Sequence, residues 1–429
     1  MLKARTQDSL YSFRVRAKGV NINATDAAAI TIRFAQDDSS HSLSFSLRSW
    51  EPVLDVLHGP LTSAADDTIA VYLAHHIEQV YEAEQASIAY LLRDSSFQSH
   101  DQARHLTAEK AQVLDKRTTR AFKYASTYHL TFSLFAASTS PSSWAIEEAL
   151  RRHVSPLIHS LSAVSDFTID TQVQLYASFS PSIAGPQLDP ATNTWKLLQS
   201  DLSGFVNAAE WPLSPSIGSG PTLNMVLYVP SPDQSPLLLE TGGSSWIIPQ
   251  WGGVQIFNPS STQTERLTTS DLEPIMLTFA DQLMSLLNIP SSPSSLSLRI
   301  ASLQRERTTS LILSASSTLG ALVRLTRKLE SISIPKSVAH SVDETIHRLD
   351  QACTDLSKGS FKSALEHARI AEAEAEKAFF EPSMVGQVYF PEEHKVAVYV
   401  PLLGPMAVPL VMSAIKELRS LRRGKVKIT

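Results

Sequence analysis

A chain of 429 residues with 43% hydrophobic and 18% charged side chains carries enough apolar mass to fold, and its length accommodates two or three domains. A net charge of −5 gives no reason to expect a nucleic-acid binder, and the single cysteine, Cys353, excludes an intrachain disulfide and any multi-cysteine zinc or iron–sulfur centre. The charge is uneven: Lys416, Arg419, Arg422, Arg423, Lys425 and Lys427 against Glu417 give the last fourteen residues +5, which leaves −10 on residues 1–415.

Residues 1–40 hold no apolar run long enough for a signal peptide or a membrane span. Alternating apolar residues predict strands over 29–34 and 43–47. A helix over 66–92 would place Ile69, Leu73, Ile77, Val80 and Tyr81 on one face. His75 and His76 are neighbours and point from different helix positions, which reads as solvated or capping histidines rather than metal ligands. Residues 98–122, with Asp101, Glu109, Lys110, Asp115, Lys116 and Arg117, read as an exposed or bridging helix rather than a core one.

The middle of the chain mixes types. Residues 129–135 predict a strand, 144–164 a helix kinked at Pro156, and 166–178 a second alternating strand. The Ser-, Pro- and Gly-rich stretch 179–221 predicts a long surface loop. Strands over 223–229 and 237–240, joined by a proline-rich link, predict antiparallel pairing, and 246–248 with 254–257 predict a short pair around Pro249-Gln250-Trp251-Gly252-Gly253.

The pattern then turns helical. Ser270 and Glu273 have capping-box spacing and open a helix to about Leu287. A linker at 290–295 precedes a helix over 297–331. Helices over 337–357 and 360–380 predict a hairpin broken at Gly359. It would bury Val338, Val342, Ile346, Leu349, Cys353 and Leu356 against Phe361, Leu365, Ala368, Ala371 and Ala375.

Residues 396–415 are twenty in a row without a charge, enough to cross a hydrocarbon core of about 30 Å at about 1.5 Å per residue. The basic run from Lys416 orients that span with its tail in the cytosol and the body on the lumenal side. Lys425 and Lys427, five and three places from the end, match the dilysine signal that retrieves membrane proteins to the endoplasmic reticulum. The fold class is therefore α/β, a mixed sheet flanked by helices with a C-terminal helical hairpin and one transmembrane helix. Its segments are a lumenal domain over 1–332, a hairpin and pre-membrane segment over 333–393, the span over 394–415 and a cytosolic tail over 416–429.

Three blocks carry a family resemblance, in order along the chain. Residues 128–134 with Trp144, Pro156, Leu157 and 166–173 form the first. Residues 223–230, Pro236, Leu237, 246–254, Asn258 and Pro259 form the second. Residues 378–382, 389–391, His394 and 399–401 form the third. Together they resemble the S subunit of the glycosylphosphatidylinositol (GPI) transamidase, the phosphatidylinositol glycan class S family, and the Pro-Gln-Trp-Gly-Gly element is the most specific of them. The resemblance implies a lumenal domain between two membrane helices, of which the first has no counterpart here. It also implies a non-catalytic role in attaching GPI to precursor C-termini in the endoplasmic reticulum membrane. The partners it implies are other transamidase subunits, including a caspase-like cysteine protease, with precursor protein and GPI lipid met indirectly. Asn23-Ala24-Thr25 is a glycosylation sequon in the segment expected to be lumenal.

The search for chemistry ends without a catalytic, cofactor-binding or metal-ligating set. Gln351-Ala352-Cys353 begins like a caspase nucleophile signature, but Thr354 and Asp355 replace its glycine-containing pair and no histidine lies about fifty residues upstream. On the apolar stripe of a helix such a thiol stays protonated. Asp166, Asp170 and Asp189 suggest paired carboxylates, but two of them fall on the exposed face of an alternating strand. Trp246, Gln250 and Trp251 offer a docking platform for a glycan or partner, or equally the cover of their own turn. What remains is a scaffold that orients reactants for another subunit. Two other readings are a membrane-bound lumenal glycosyltransferase-like enzyme and a tail-anchored cytosolic adaptor. Glycan on Asn23 would exclude the second.

Overall fold

The computed structural model describes residues 30–36, 43–58, 63–93, 106–202, 205, 220–259, 265–328, 334–384 and 392–424. Asn23, Lys425 and Lys427 lie outside them. Contacts divide the chain into a first unit, Met1–Ser310 with Asp355–Leu365, and a second, Leu311–Thr354 with Glu366–Thr429.

The first unit opens with a three-stranded sheet of β1 (Thr31–Gln36), β2 (Ser44–Leu47) and β3 (Val53–His58) in the order β1-β3-β2. Of the outer two strands β2 alternates as expected, whereas β1 is half-buried at Thr31 and Ile32 and exposed from Arg33 onward. The central β3 does not alternate: Val53, Leu54 and Val56 are all buried, the pattern of a strand covered on both faces. Helix α1 (Ser63–Leu92) closes the sheet with Leu73, Ile77, Val80 and Tyr81 inward, as its periodicity predicts. His75 bonds Gln79 while His76 stacks on Phe45, so the two rings do not converge. Helix α2 (Ala108–Arg120) starts at a Thr107 cap and is largely exposed, as its composition implies, with Leu114 buried.

Strand β4 (Thr127–Ala136) is central to the main sheet. A two-residue strand β5 (Ser143–Trp144) and helix α3 (Ile146–Ala149) lead into a π-helical turn at Leu150–Val154, followed by helix α4 (Ser155–Leu161). Pro156 supplies no N–H and its ring crowds the preceding turn, and the widened turn just before it relieves that clash without a sharp break. Strand β6 (Asp166–Leu175) then lies parallel to β4 through ten continuous register pairs.

The stretch expected as a loop contains strands β7 (Gln187–Asp189) and β8 (Thr194–Leu197), which are antiparallel. Their turn has Asn193 at φ +49° and is closed by Asp189, whose carboxylate lies 2.6 Å from Lys196 and accepts from the Ala191 N–H. These bonds, Lys196 first, hold the Asp189 pKa down to about 2. Strand β9 (Thr222–Val229) pairs with β4. Strand β10 (Leu237–Leu239) does not return to β9 as expected; it lies parallel to β8 in the small sheet β10-β8-β7. Asn258 explains the diversion, because its amide accepts from the Leu237 N–H and donates to the Leu237 carbonyl.

Strands β11 (Ser245–Ile248) and β12 (Gly252–Ile256) form the expected pair and complete a five-stranded sheet in the order β11-β12-β9-β4-β6, parallel except for β11. A short strand β13 (Arg266–Leu267) pairs with β5 and leads into helix α5 (Thr269–Leu286). The helix is capped by Thr268 and Asp271, two residues before the expected box. Leu267 and Leu272, on either side of that cap, are fully buried and staple the chain there.

Helix α6 (Leu296–Lys328) begins in the first unit and ends in the second. The second unit adds most of α7 (Lys336–Lys358) and of α8 (Phe361–Phe379), and α9 (Glu392–Gly424). Gly359, at φ +82°, breaks α7 from α8 as expected. The buried face of α7 differs from the expected stripe: Val338, Ser341, Thr345 and Ala352 are inside, while Ile346 is 55% exposed and Cys353 is exposed. The reason lies on α8, where Ala368, Ala371, Ala375 and Ala378 are all buried. Alanines draw backbones close, and small hydroxyl residues fit that gap where Ile346 would not. Ser341 donates to Glu374 and Thr345 to the Ser341 carbonyl, so neither hydroxyl is buried unpaired.

Candidate functional site

The Pro-Gln-Trp-Gly-Gly element is the tip of the β11–β12 hairpin. Gln250 takes φ +55°; its N–H donates to the Arg120 carbonyl and its side chain to the Thr119 carbonyl, each at 3.1 Å. The turn is thereby fastened to the end of α2. The Trp251 carbonyl accepts from both the backbone N–H and the side-chain amide of Asn224 on β9. A Cβ at Gly252 would overlap the Asn224 carbonyl oxygen, a backbone atom that cannot yield, and one at Gly253 would overlap the Gln282 amide. That buried Gln282 reaches from α5 to donate to the Trp246 and Val254 carbonyls. Two glycines and one glutamine therefore allow a helix and a neighbouring strand to close on the hairpin.

Trp246 is half-buried. Its Nε1 donates to the Leu202 carbonyl at 3.3 Å, and its ring meets Phe205 edge-on at 4.9 Å. Both it and Trp251 pack against the cluster of Phe135, Leu197, Phe205, Tyr228, Val254 and Ile256. The structure thus brings Trp246, Gln250 and Trp251 together at one corner and engages all three with their own chain.

The same sheet face changes character along its strands. Toward the strand ends it is the apolar cluster just named. Toward the strand starts, the register sets His129, Thr131 and Ser133 of β4 beside Thr168, Asp170 and Gln172 of β6, with Asn224 of β9 opposite Thr131. His129 Nδ1 lies 2.5 Å from the Thr168 hydroxyl and Gln172 donates to Ser133 at 2.8 Å. His129 Nε2 and Asn224 Oδ1 are buried without a described partner. Sequence reasoning missed this half-face. The alternation was legible, but the neighbour relations that join three polar strands come only from the register. Asp166 and Asp170 are exposed on β6, and Asp189 is paired with Lys196 on another sheet, so the three carboxylates form no site.

A second polar group lies among the helices of the first unit. Glu84 of α1 accepts two bonds from Arg305 of α6, at 2.5 and 2.6 Å, and one from Ser302. Arg117 of α2 donates to Ser87 and Asn288 and stands 3.7 Å from Glu306. Burial pushes the Glu306 carboxyl up to about 7, opposed by Arg117 and reinforced by Glu84. Among the described residues no cluster of three or more histidine, cysteine, aspartate or glutamate side chains could hold a metal ion. The Cys353 thiol is pushed above its ordinary pKa by partial burial and by Asp350.

Helix α9 runs past the expected span. Its segment Ala397–Ser420 contains a window of mean hydropathy 1.8, long and apolar enough to cross a membrane, and none of that window is buried against the chain. Pro401, Pro405 and Pro409 recur every fourth residue and so share one side of it.

Residues 2–424 match the sequence model for phosphatidylinositol-glycan biosynthesis class S protein. A rat (Rattus norvegicus) protein named GPI-anchor transamidase component PIGS is 32% identical over 370 residues, 80% of this chain and 63% of its own length. The fission yeast (Schizosaccharomyces pombe) GPI transamidase component PIG-S homolog is 33% identical over 74% of this chain and 58% of its own. The GPI transamidase component GPI17 of Saccharomyces cerevisiae is 30% identical over 67% and 57%. The chain therefore spans about three-fifths of the length of the curated relatives it matches. With its sequence matched almost end to end, this chain belongs to the phosphatidylinositol-glycan biosynthesis class S family.

Proposed function

We propose that this chain is a non-catalytic component of the GPI transamidase, held in the endoplasmic reticulum membrane by α9 and contributing a scaffold to the transfer of GPI onto precursor C-termini. The observation that carries the reading is the family match across residues 2–424, joined to relatives that are named as transamidase components. The chemistry points the same way. A transamidating nucleophile must be a thiolate beside a base, and Cys353 has its pKa raised rather than lowered. The catalytic thiolate then belongs to a caspase-like partner subunit, and the body of this chain stands on the lumenal side with the basic end of α9 in the cytosol.

Purification of the tagged chain from its own cells in a mild detergent tests the assignment. Recovery of a caspase-like cysteine protease and the other transamidase components is the expected result. Recovery of the chain alone, or with an unrelated set of proteins, would overturn it. Glycan on Asn23 would fix the topology, since a cytosolic body carries none.

A further inference from the structure

The two edges of the five-stranded sheet are unlike. The β11 edge is four residues long and antiparallel, while the β6 edge runs ten residues with no proline and no break in register against β4. Asp166 N–H donates to the Ser126 carbonyl and Tyr176 N–H to the Ser138 carbonyl, so the even-numbered residues of β6 face β4. In a parallel pair the N–H and C=O of one residue point to the same side. The backbone groups of Phe167, Ile169, Thr171, Val173 and Leu175 therefore point away from the sheet, where no described strand meets them. Long edges of this kind are ordinarily blunted by lysines, prolines, bulges or cover. Here most side chains of the strand are exposed, Ile169 at 38% and Val173 at 41% among them.

We propose that the β6 edge is a docking site for an extended segment of another polypeptide, added to the sheet as a sixth strand. The side chains state its chemistry. Ile169, Thr171 and Val173 share one face of β6 and call for apolar residues beside them. Asp166 and Asp170 share the other, exposed and without a described cation at ion-pair distance, and call for basic ones. The occupant is thus a strand that alternates apolar and basic residues. Tyr176, at φ +56° and 69% exposed, ends the edge by turning the chain away, which limits the added strand to about the length of β6.

The test uses the detergent-purified full chain and a labelled ten-residue peptide of alternating valine and lysine, with binding followed by fluorescence anisotropy. The same peptide N-methylated at alternate residues, which loses the donors that face a sheet, is expected to bind about tenfold more weakly. Thr171→Pro removes an outward donor that β4 does not use, and a loss of similar size is expected with the circular dichroism unchanged. If that variant misfolds, the N-methylated peptide on the unaltered chain still decides the matter. Asp166→Lys with Asp170→Lys should reverse preference toward a valine–glutamate peptide. Equal binding of methylated and plain peptides, or unchanged preference after charge reversal, would overturn the proposal. So would sedimentation showing that the edge pairs two copies of this chain, by a dimer that Thr171→Pro dissolves.

Discussion

The five-stranded sheet and the helices of the second unit solve the same problem by opposite means. β4 and β9 are buried along nearly their whole length and fill their surroundings with large side chains: Phe132 against Phe279 on one face, Phe135 and Tyr228 on the other. The second unit packs on alanines. Ala315, Ala371 and Ala375 form one cluster between α6 and α8, and Ser341 of α7 donates to Glu374 of α8. Bulk holds the sheet, and close approach holds the helices. Lost bulk should therefore cost most in the sheet, and added bulk should cost most among the helices.

The largest effect is expected in the sheet. Phe132→Ala leaves a cavity beside Phe279 and should cost about 3–5 kcal/mol, read as lost hydrogen-exchange protection across β4, β9 and α5. Unaltered protection there would break the comparison.

Next comes the charged group that the sheet lacks and the helices of the first unit bury. The folded-state pKa of Glu306 stands near 7 against an ordinary value of 4.5, so the native state holds its proton more tightly than the unfolded one. The associated stability is complete below about pH 4.5 and is lost as pH rises through 7. Glu306→Gln should flatten that slope, stabilising at pH 8 by about 2–3 kcal/mol and changing little at pH 5. Urea unfolding at the two pH values measures it, and an equal shift at both would contradict the assignment.

Added bulk in the alanine seam should cost less. Ala371→Leu is expected to destabilise α8 by about 1–3 kcal/mol, whereas Ile346→Ala, on the exposed side of α7, should stay within about 0.5 kcal/mol. The reverse order would restore the stripe that the sequence implies. The smallest effect concerns α5: Thr268→Ala should cost about 1 kcal/mol and Ser270→Ala almost nothing, since Thr268 is the cap.

These regions also differ in how far the sequence discloses them. Apolar alternation along the sequence marks β1, β2 and β6, and the 3.6-residue period marks α1, α5 and α8. Strand β3 escapes because burial on both faces erases alternation. The β7–β8 hairpin escapes because a three-residue strand beside Asp189-Pro190 has the composition of a loop. On α7 the apolar period was present but the partner helix decided the buried face, and Cys353 moved to the surface with it. For the candidate site, the Trp246–Trp251 corner was visible as a motif, while its purpose depended on Asn224 and Gln282, which lie 27 and 28 residues from their hydrogen-bond partners. The polar half-face around His129 required strand register, which pairs residues 39 apart.

Depletion of this chain from its own cells, with a GPI-anchored reporter followed by pulse-chase, addresses the central claim most directly. Unprocessed reporter precursor is expected to accumulate, and re-expressed chain to restore anchoring whether it carries Cys353 or Cys353→Ser. Anchoring at an unchanged rate in depleted cells would contradict membership of the transamidase, and failure of Cys353→Ser alone to restore it would contradict the non-catalytic role.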